Sequence, residues 1–513
     1  MDAPISAPAP APPAWARHLD ALLARPWLPW ALVAFGALLR IVRYLSQHAL
    51  EVSEAELALN VLPRTLGEAL APLHYDQAAP AGFVALLIIA KDLFGPGELA
   101  LRAPAFAASL VSLPLFVLLA RRVLRPAGVS IATAIFAAAP LLVYYGSFAK
   151  QYESDALATI VLALLALRVL DERRAAIFVF AIAGAASIWL SHPASFVVAG
   201  TGCALAALAF ASRDTRRLAR LAACGVVFAA SFAGFLAASD RGAARNDFLL
   251  GYWQAGFLPL PPRSLADLRW FLDRGIGVLE DPGAFFPAGA AAFSLLAGIV
   301  FLLRERRDAA LLLLAPVPFL LAASALRLYP VHGRLVVFLL PIVVVFVAAG
   351  ADGVRRAAER TPALAALLLV LLLFDPLASE AKKLLAPPRF EDPRPLLERL
   401  SREARPDDSI YVYYDAQFAW RYYAPRYGLD PERAIIGTSA ESVWTDDVAD
   451  IERLRGRPRV WLIFSHAHLR QTPRSEEDFF RFELDRSGRR LAEQHEPGAS
   501  LYLYDLREPG EAR

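Results

Sequence analysis

Charge-poor stretches near the length of a membrane-crossing helix recur through the first 388 residues. They lie at 26–45, 103–120, 127–147, 152–170, 175–191, 194–212, 221–239, 284–303, 309–326, 335–350 and 361–376. A helix needs roughly 20 predominantly apolar residues to cross the hydrocarbon layer. Eleven such stretches confine the chain to a polytopic α-helical membrane protein, because only structures that satisfy their own backbone hydrogen bonds survive in lipid. With 57% apolar residues and a mean hydropathy of +0.42, a soluble globule is excluded. A net charge of +3 gives no reason to expect nucleic acid as a partner. The two cysteines, Cys203 and Cys224, lie inside apolar runs and read as small core residues.

The last 125 residues differ. Residues 389–513 carry 20 Lys/Arg and 24 Asp/Glu, the density of an ordinary water-exposed domain. The expected organisation is a disordered cytoplasmic tail over 1–25, a membrane domain over 26–380, and a small α/β domain over 389–513. In the last, 394–404 reads as an amphipathic helix, and 409–414, 459–464 and 501–504 read as strands. Ser465-His466-Ala467-His468 reads as a strand-end polar loop.

Orientation comes from the loops. The short loops 121–126, 168–174, 213–220, 304–308 and 351–360 together hold sixteen arginines. The positive-inside rule places them in the cytoplasm. Eleven spans then put the N-terminus inside and the C-terminal domain outside, with long outer loops at 46–102 and 240–283. Long loops beside a bundle are preferred places for function.

In the first outer loop, Ser53-Glu54-Ala55-Glu56 opens a short helix ending before Pro63. Ser53 and Glu56 have the spacing of a capping box, and the apolar face suits a membrane surface. That leaves Glu54 as a carboxylate for general-base work, although a helix N-terminus also stabilises an acid there. Residues 81–90 are apolar but too short to span. Between these segments hangs the polar and aromatic stretch His74-Tyr75-Asp76-Gln77. A second outer corner, Lys150-Gln151-Tyr152-Glu153-Ser154-Asp155, joins two spans. Lys150 can snorkel and Asp155 can cap, yet opposite charges at membrane depth are costly unless used. Arg40, Arg102 and Arg334 sit at outer span ends, where snorkelling anchors are common. As a set they suit a phosphate-bearing headgroup.

These residues, in this order, resemble the bacterial polytopic GT-C glycosyltransferases. That group includes protein mannosyltransferases and the lipid A aminoarabinose or galacturonic acid transferases. The resemblance rests on the acidic helix start, His74-Tyr75-x-Gln77-x-x-Pro80, Phe94-Gly95-x-x-Glu98-x-x-x-Arg102, and Tyr144-Tyr145 followed by Lys150-Gln151-Tyr152-x-x-Asp155. Tyr252-Trp253 and Tyr329-Pro330-x-x-Gly333-Arg334 extend it to about residues 30–350. It implies a GT-C-like membrane domain with a C-terminal domain outside. The implied enzyme takes a sugar from a polyprenyl-phosphate carrier to a lipid, glycan or protein acceptor at the outer face of a bacterial inner membrane. The family opens this outer helix with an acidic pair. Here Ser53 stands in the first position and only Glu54 remains, with Glu51 and Glu56 nearby.

Displacing a phosphate from an anomeric carbon needs a base for the acceptor proton and cations for the leaving group. Glu54 takes the first role and Asp155 is the second carboxylate. Lys150, Arg102 and Arg334, with Arg40 more weakly, take the phosphate. Gln151 and Tyr152 complete that corner, and His74, Tyr75 and Gln77 line the lid. Glu54 and Asp155 are also the pair that would hold magnesium or manganese. The rival readings are a secondary transporter and a non-catalytic membrane assembly factor. An oligosaccharide polymerase or ligase is the nearest rival enzyme. Transporters hold ionisable groups at the midplane on broken helices, often with inverted repeats; here the charges cluster at span ends and no repeat is visible.

Overall fold

The computed structural model describes residues 13–46, 48–171, 174–238, 246–386, 391–438, 444–467 and 475–507. It divides into two compact units. The first comprises 1–45 and 64–387, and the second 46–63 and 388–513.

In the first unit every stretch read as a span is helical over most of its described length. Among the described residues eight helical segments are long and apolar enough to cross a membrane, including Leu28–Leu45, Glu98–Val123, Ala194–Ala211 and Pro362–Leu385. The other three fall short for identifiable reasons. The apolar helix Pro126–Ala138 stops at Ala139, before Pro140 restarts it as Pro140–Tyr145. Helix Arg174–Leu190 is only 17 residues long. Helix Tyr152–Leu170 contains Glu153, Asp155 and Arg168. The architecture is that of a multi-pass membrane protein.

Helices Ala288–Glu305 and Leu340–Ala357 make the tightest crossing. A Cβ added at Gly298 would strike the Phe346 carbonyl oxygen, and one at Gly350 would strike that of Ser294. In lipid, helices gain little from burying apolar surface against each other, so close backbone approach at small residues is a main source of association. The 340–357 helix is accordingly buried along most of its length.

The arginine-rich loops meet at one end of the bundle. Arg122 pairs with Asp171. Glu305 takes Arg125 at 3.2 Å and Arg356 at 3.0 Å, and Arg217 donates to the Val169 carbonyl at 3.0 Å. The alternation of basic and mixed loops along the sequence is thus an alternation of ends in space. Residues 14–23, expected as part of a disordered tail, instead form the helix Ala14–Leu23 at this same end. Ala16 is buried, Leu19 and Leu23 pack on the core, and Asp20 pairs with Arg355 at 2.6 Å. An amphipathic pattern with a docking surface was enough to order it. Residues 1–12 lie outside the described residues.

The second unit is built on a five-stranded sheet. Its strands are β1 (Ser409–Val412), β2 (Ala434–Ile436), β3 (Val460–Ser465), β4 (Arg489–Glu496) and β5 (Ala499–Asp505), in the order β2-β1-β3-β5-β4. Strands β1–β3 run parallel, while β5 is antiparallel to both β3 and β4. Helix Arg394–Glu403 forms where its amphipathic pattern placed it. Strands β2 and β4 had no sequence signal. β2 is three residues long, and β4 is an edge strand of almost wholly polar residues. Two buried carboxylates tie the layers together. Asp408 accepts from Arg459 and the Trp461 indole, both at 2.8 Å, and Asp450 accepts from the Tyr411 hydroxyl at 2.9 Å and the Thr438 N–H at 2.7 Å.

Helix Val52–Val61 belongs to this second unit. It was expected to lie on the membrane surface; its apolar face instead packs on helix Ala416–Tyr423. The Leu50 N–H donates to the Tyr423 hydroxyl at 2.8 Å. A protein surface offering both an apolar face and a hydrogen-bond acceptor outcompetes lipid for such a short helix.

Two outcomes follow. Gly298→Leu or Gly350→Leu should destabilise the first unit by about 1–3 kcal/mol or more through overpacking. Thermal unfolding of the purified protein would register this, with Gly289→Leu, which has open space around it, as the tolerated control. In the second unit, a hydrogen bond to Glu391 holds the His466 ring above the ordinary histidine range. Its contribution to stability is therefore complete below about pH 6.5 and is lost as pH rises through the elevated folded value. The melting temperature should fall between pH 5 and pH 8, and His466→Gln should remove part of that dependence.

Candidate active site

The organising corner is the turn between Tyr145 and Tyr152. Helix Pro140–Tyr145 ends at Gly146, and helix Tyr152–Leu170 begins six residues later. Between them Lys150 and Gln151 are buried despite their polarity. Lys150 Nζ donates to Gln77 Oε1, and Gln151 Nε2 reaches the Ala78 carbonyl at 3.4 Å. These contacts hold residues 75–78 against the corner. The same strap is bound by Asn246, whose amide donates to Asp76 Oδ1 at 2.5 Å. Tyr75 and Asp76 both lie in the left-handed region, with φ of 62° and 51°. Non-glycine residues occupy that region only when their surroundings hold them there. His74 stands beside Tyr75, with ring centres 6.2 Å apart, and is exposed.

Asp155 points into the bundle. It is 4% exposed and hydrogen-bonds with the Ser191 hydroxyl, and its Oδ1 is buried with no partner among the described residues. Tyr152 and Tyr329 lie within electrostatic reach of it. Arg334 opens the helical segment that runs to Ala357, and its guanidinium lies 5.5 Å from the centre of the Trp253 ring. Its charge faces Tyr152, Tyr145, Tyr252 and Tyr144. Tyr145 and Tyr152 pack with ring centres 4.7 Å apart. One locality thus holds a lysine, an arginine, a buried carboxylate and several phenols. Cationic side chains suit a phosphate, and the phenols and carboxylate can hydrogen-bond hydroxyl groups.

Other sequence candidates fall elsewhere. Arg40 is fully buried and turned inward. It donates to Ser109 Oγ at 2.7 Å, to the Ala137 carbonyl at 2.9 Å, to Gly36 at 3.1 Å and to Phe136 at 3.5 Å. The helix break at Ala139 frees the Phe136 and Ala137 carbonyls, because Pro140 has no N–H to return to Phe136. Arg40 therefore acts as a strut. Arg102 is also fully buried, near Tyr44, which stacks on Phe106 at 4.0 Å.

Glu54 lies in the second unit, whereas Asp155 lies in the first. The capping assignment also shifts. Glu51, not Ser53, is the N-cap, and Glu54 Oε2 accepts the Glu51 N–H at 3.1 Å. Ser53 and Glu56 lie inside the helix. Glu54 is fully buried. Among the described residues no group of three or more His, Cys, Asp or Glu side chains is placed to hold a metal ion.

Sequence reasoning missed Glu153 and Ser191 as participants. Glu153 is fully buried, and its charge faces Arg40 and the Ser109 hydroxyl. Two residues apart on a helix, Glu153 and Asp155 point in nearly opposite directions. One serves the Arg40 cluster and the other the tyrosine cluster. That spacing was readable. Ser191, recognised only as part of a turn, had no signal of its own.

Arg40→Met should strand the freed carbonyls and cost about 3 kcal/mol. Arg40→Lys should rescue only part, since one ammonium cannot reach four acceptors. Thermal unfolding in detergent checks both, and a folded Arg40→Lys protein should bind any phosphate-bearing ligand as wild type does.

No protein-family model matches the sequence, and no curated protein matches it. Solved structures do match by fold. ArnT from Cupriavidus metallidurans in the apo state superposes with a TM-score of 0.51 over 92% of this chain and 97% of that one, at 14% identity. The same protein bound to undecaprenyl phosphate gives 0.53 over 92% and 98%, also at 14% identity. The Archaeoglobus fulgidus oligosaccharyltransferase in complex with zinc and sulfate gives 0.51 over 84% and 67%, at 13% identity. At such identities the likeness establishes the fold alone: this chain shares the fold of ArnT and of the archaeal oligosaccharyltransferase.

Proposed function

We propose that this chain is a glycosyltransferase that moves a sugar from a polyprenyl-phosphate carrier to a lipid, glycan or protein acceptor. The observation that carries the reading is the gathering of Lys150, Arg334, Asp155 and the surrounding tyrosines in one locality of a GT-C fold. One of the matching structures holds undecaprenyl phosphate, and the reading transfers that class of carrier to this chain.

In the proposed reaction an acceptor hydroxyl or amine attacks the anomeric carbon. The bond from that carbon to the carrier phosphate breaks, the phosphate leaves with the electron pair, and the acceptor proton passes to a carboxylate. Lys150 and Arg334 offset the charge that grows on the departing phosphate. Asp155 orients the acceptor or a cation that arrives with the phosphate. Magnesium commonly binds through one or two carboxylates plus substrate phosphates; such an ion would add positive charge at the leaving group. Glu54 keeps the base role assigned from sequence, alongside its capping bond. The proposed setting is a bacterial inner membrane, with the arginine-rich end of the bundle in the cytoplasm and the second unit outside.

The test is transfer from a panel of radiolabelled polyprenyl-phosphate sugars by the full-length protein in membranes. Wild type should transfer. Asp155→Asn should lower kcat by about 100-fold or more, and Lys150→Ala and Arg334→Ala should mainly raise the donor KM. Glu54→Gln retains an acceptor for the Glu51 N–H, so it should leave stability nearly unchanged while abolishing transfer. Full activity in Asp155→Asn would sink the site, and full activity in Glu54→Gln would sink the base.

A further inference from the structure

Beside Arg334 the structure contains a pocket of about 130 Å³ that the proposed reaction does not yet use. One wall is the end of helix Leu265–Glu280, with Arg274, Val278 and Glu280, followed by Asp281. The other is the segment Val331, His332 and Gly333. Gly333 has φ of +46°, and a Cβ there would sit 3.0 Å from Asp281 Oδ2. Glycine thus lets the Asp281 carboxylate lie against the backbone that turns towards Arg334. Arg274 Nε and His332 Nδ1 are buried with no hydrogen-bond partner among the described residues. The His332 ring lies 5.7 Å from the Trp253 ring, over which the Arg334 guanidinium is placed.

The chemistry of this lining is selective. Two carboxylates disfavour an anion, and a guanidinium disfavours a simple cation. No three metal-ligating side chains converge among the described residues. Burial and the neighbouring Arg274 hold His332 below the ordinary histidine range despite the opposing pull of Asp281, so its ring is neutral and offers one donor and one acceptor. Fixed donors, fixed acceptors and a neutral ring together match a molecule whose every polar group both donates and accepts. Vicinal hydroxyls have that property, and a carboxylate or a guanidinium can bind two of them at once. Val278 and Val331 supply apolar wall for C–H faces.

We infer that this pocket is a saccharide subsite that takes one neutral, hydroxyl-rich sugar ring, held by Arg274, Asp281, Glu280 and His332 next to the phosphate-facing Arg334. The inference deepens the glycosyltransferase reading and rests on it for the identity of the ring as substrate. The binding site itself is testable without any transfer reaction.

The experiment is saturation-transfer NMR on the full-length protein in nanodiscs, with methyl glycosides of a neutral pentose, a neutral hexose, a uronic acid and an amino sugar. A neutral glycoside should bind wild type. Its signal should fall at least fivefold in Arg274→Ala and in Asp281→Asn, and persist in the tolerated control Gly289→Leu. Matched melting curves would establish that the pocket variants are folded. No signal from either neutral glycoside, a stronger signal from the uronate or amino sugar, or a signal unchanged in both pocket variants would each overturn the inference. Donor transfer run in parallel separates the two readings. Active transfer with unaltered donor KM in both pocket variants removes the subsite and leaves the glycosyltransferase. Pocket-dependent glycoside binding without transfer from any donor keeps the subsite and removes the glycosyltransferase.

Discussion

A backbone carbonyl inside a hydrocarbon layer has no water to turn to, and the first unit is arranged around that constraint. The break at Ala139 lets the chain change direction before the corner that carries Lys150 and Asp155, and it frees carbonyls at Phe136 and Ala137. Arg40 satisfies them from the opposing helix. Gly36 lets the two helices come close enough for that reach, since a Cβ there would lie 2.9 Å from Ala137 Cβ. An arginine in a span is expensive unless its donors and charge are answered. Here four acceptors answer the donors, and Glu153 answers the charge. The strut and the site thus share one helical turn.

That turn explains how two carboxylates coexist at membrane depth. Glu153 and Asp155 face opposite sides of their helix, so each is stabilised by a separate set of partners. Glu153 faces a guanidinium and a serine, and Asp155 faces a serine and phenols. The first set answers the charge of Glu153 with Arg40, although neither carboxylate oxygen of Glu153 has a hydrogen-bond partner among the described residues. The second leaves a buried carboxylate oxygen without a partner among the described residues, which is the condition a substrate hydroxyl or a cation would relieve.

Much of this was legible in the sequence. The apolar runs located the helices, and the recurrence of arginine in alternate loops matched loops that share one end of the bundle. Lys150 and Asp155 were singled out because opposite charges at a span junction are costly without a role; in the structure Lys150 is held by the half-buried Gln77 and Asp155 meets the Ser191 hydroxyl. The failures have physical causes. Arg40 was read as a headgroup anchor because its position at a span end is ambiguous between lipid and protein. The helix at 52–61 was read as membrane-surface because its apolar face does not name the surface it will cover. Strand β4 went unseen because a polar edge strand buries too little to leave a periodic signal.

The sequence by itself determined the membrane-embedded class, the approximate placement of the helices, the separate charged C-terminal region and the corner at 150–155. Those properties follow from transfer free energies that add along the chain, so a linear reading can sum them. Only the tertiary structure decided that Arg40 turns inward, that Asp155 meets Ser191, that Arg334 lies over Trp253 and that helix 52–61 joins the C-terminal sheet. Each of these depends on which distant segment becomes a neighbour, and a polar side chain in a dry interior takes whichever partner the packing brings within reach.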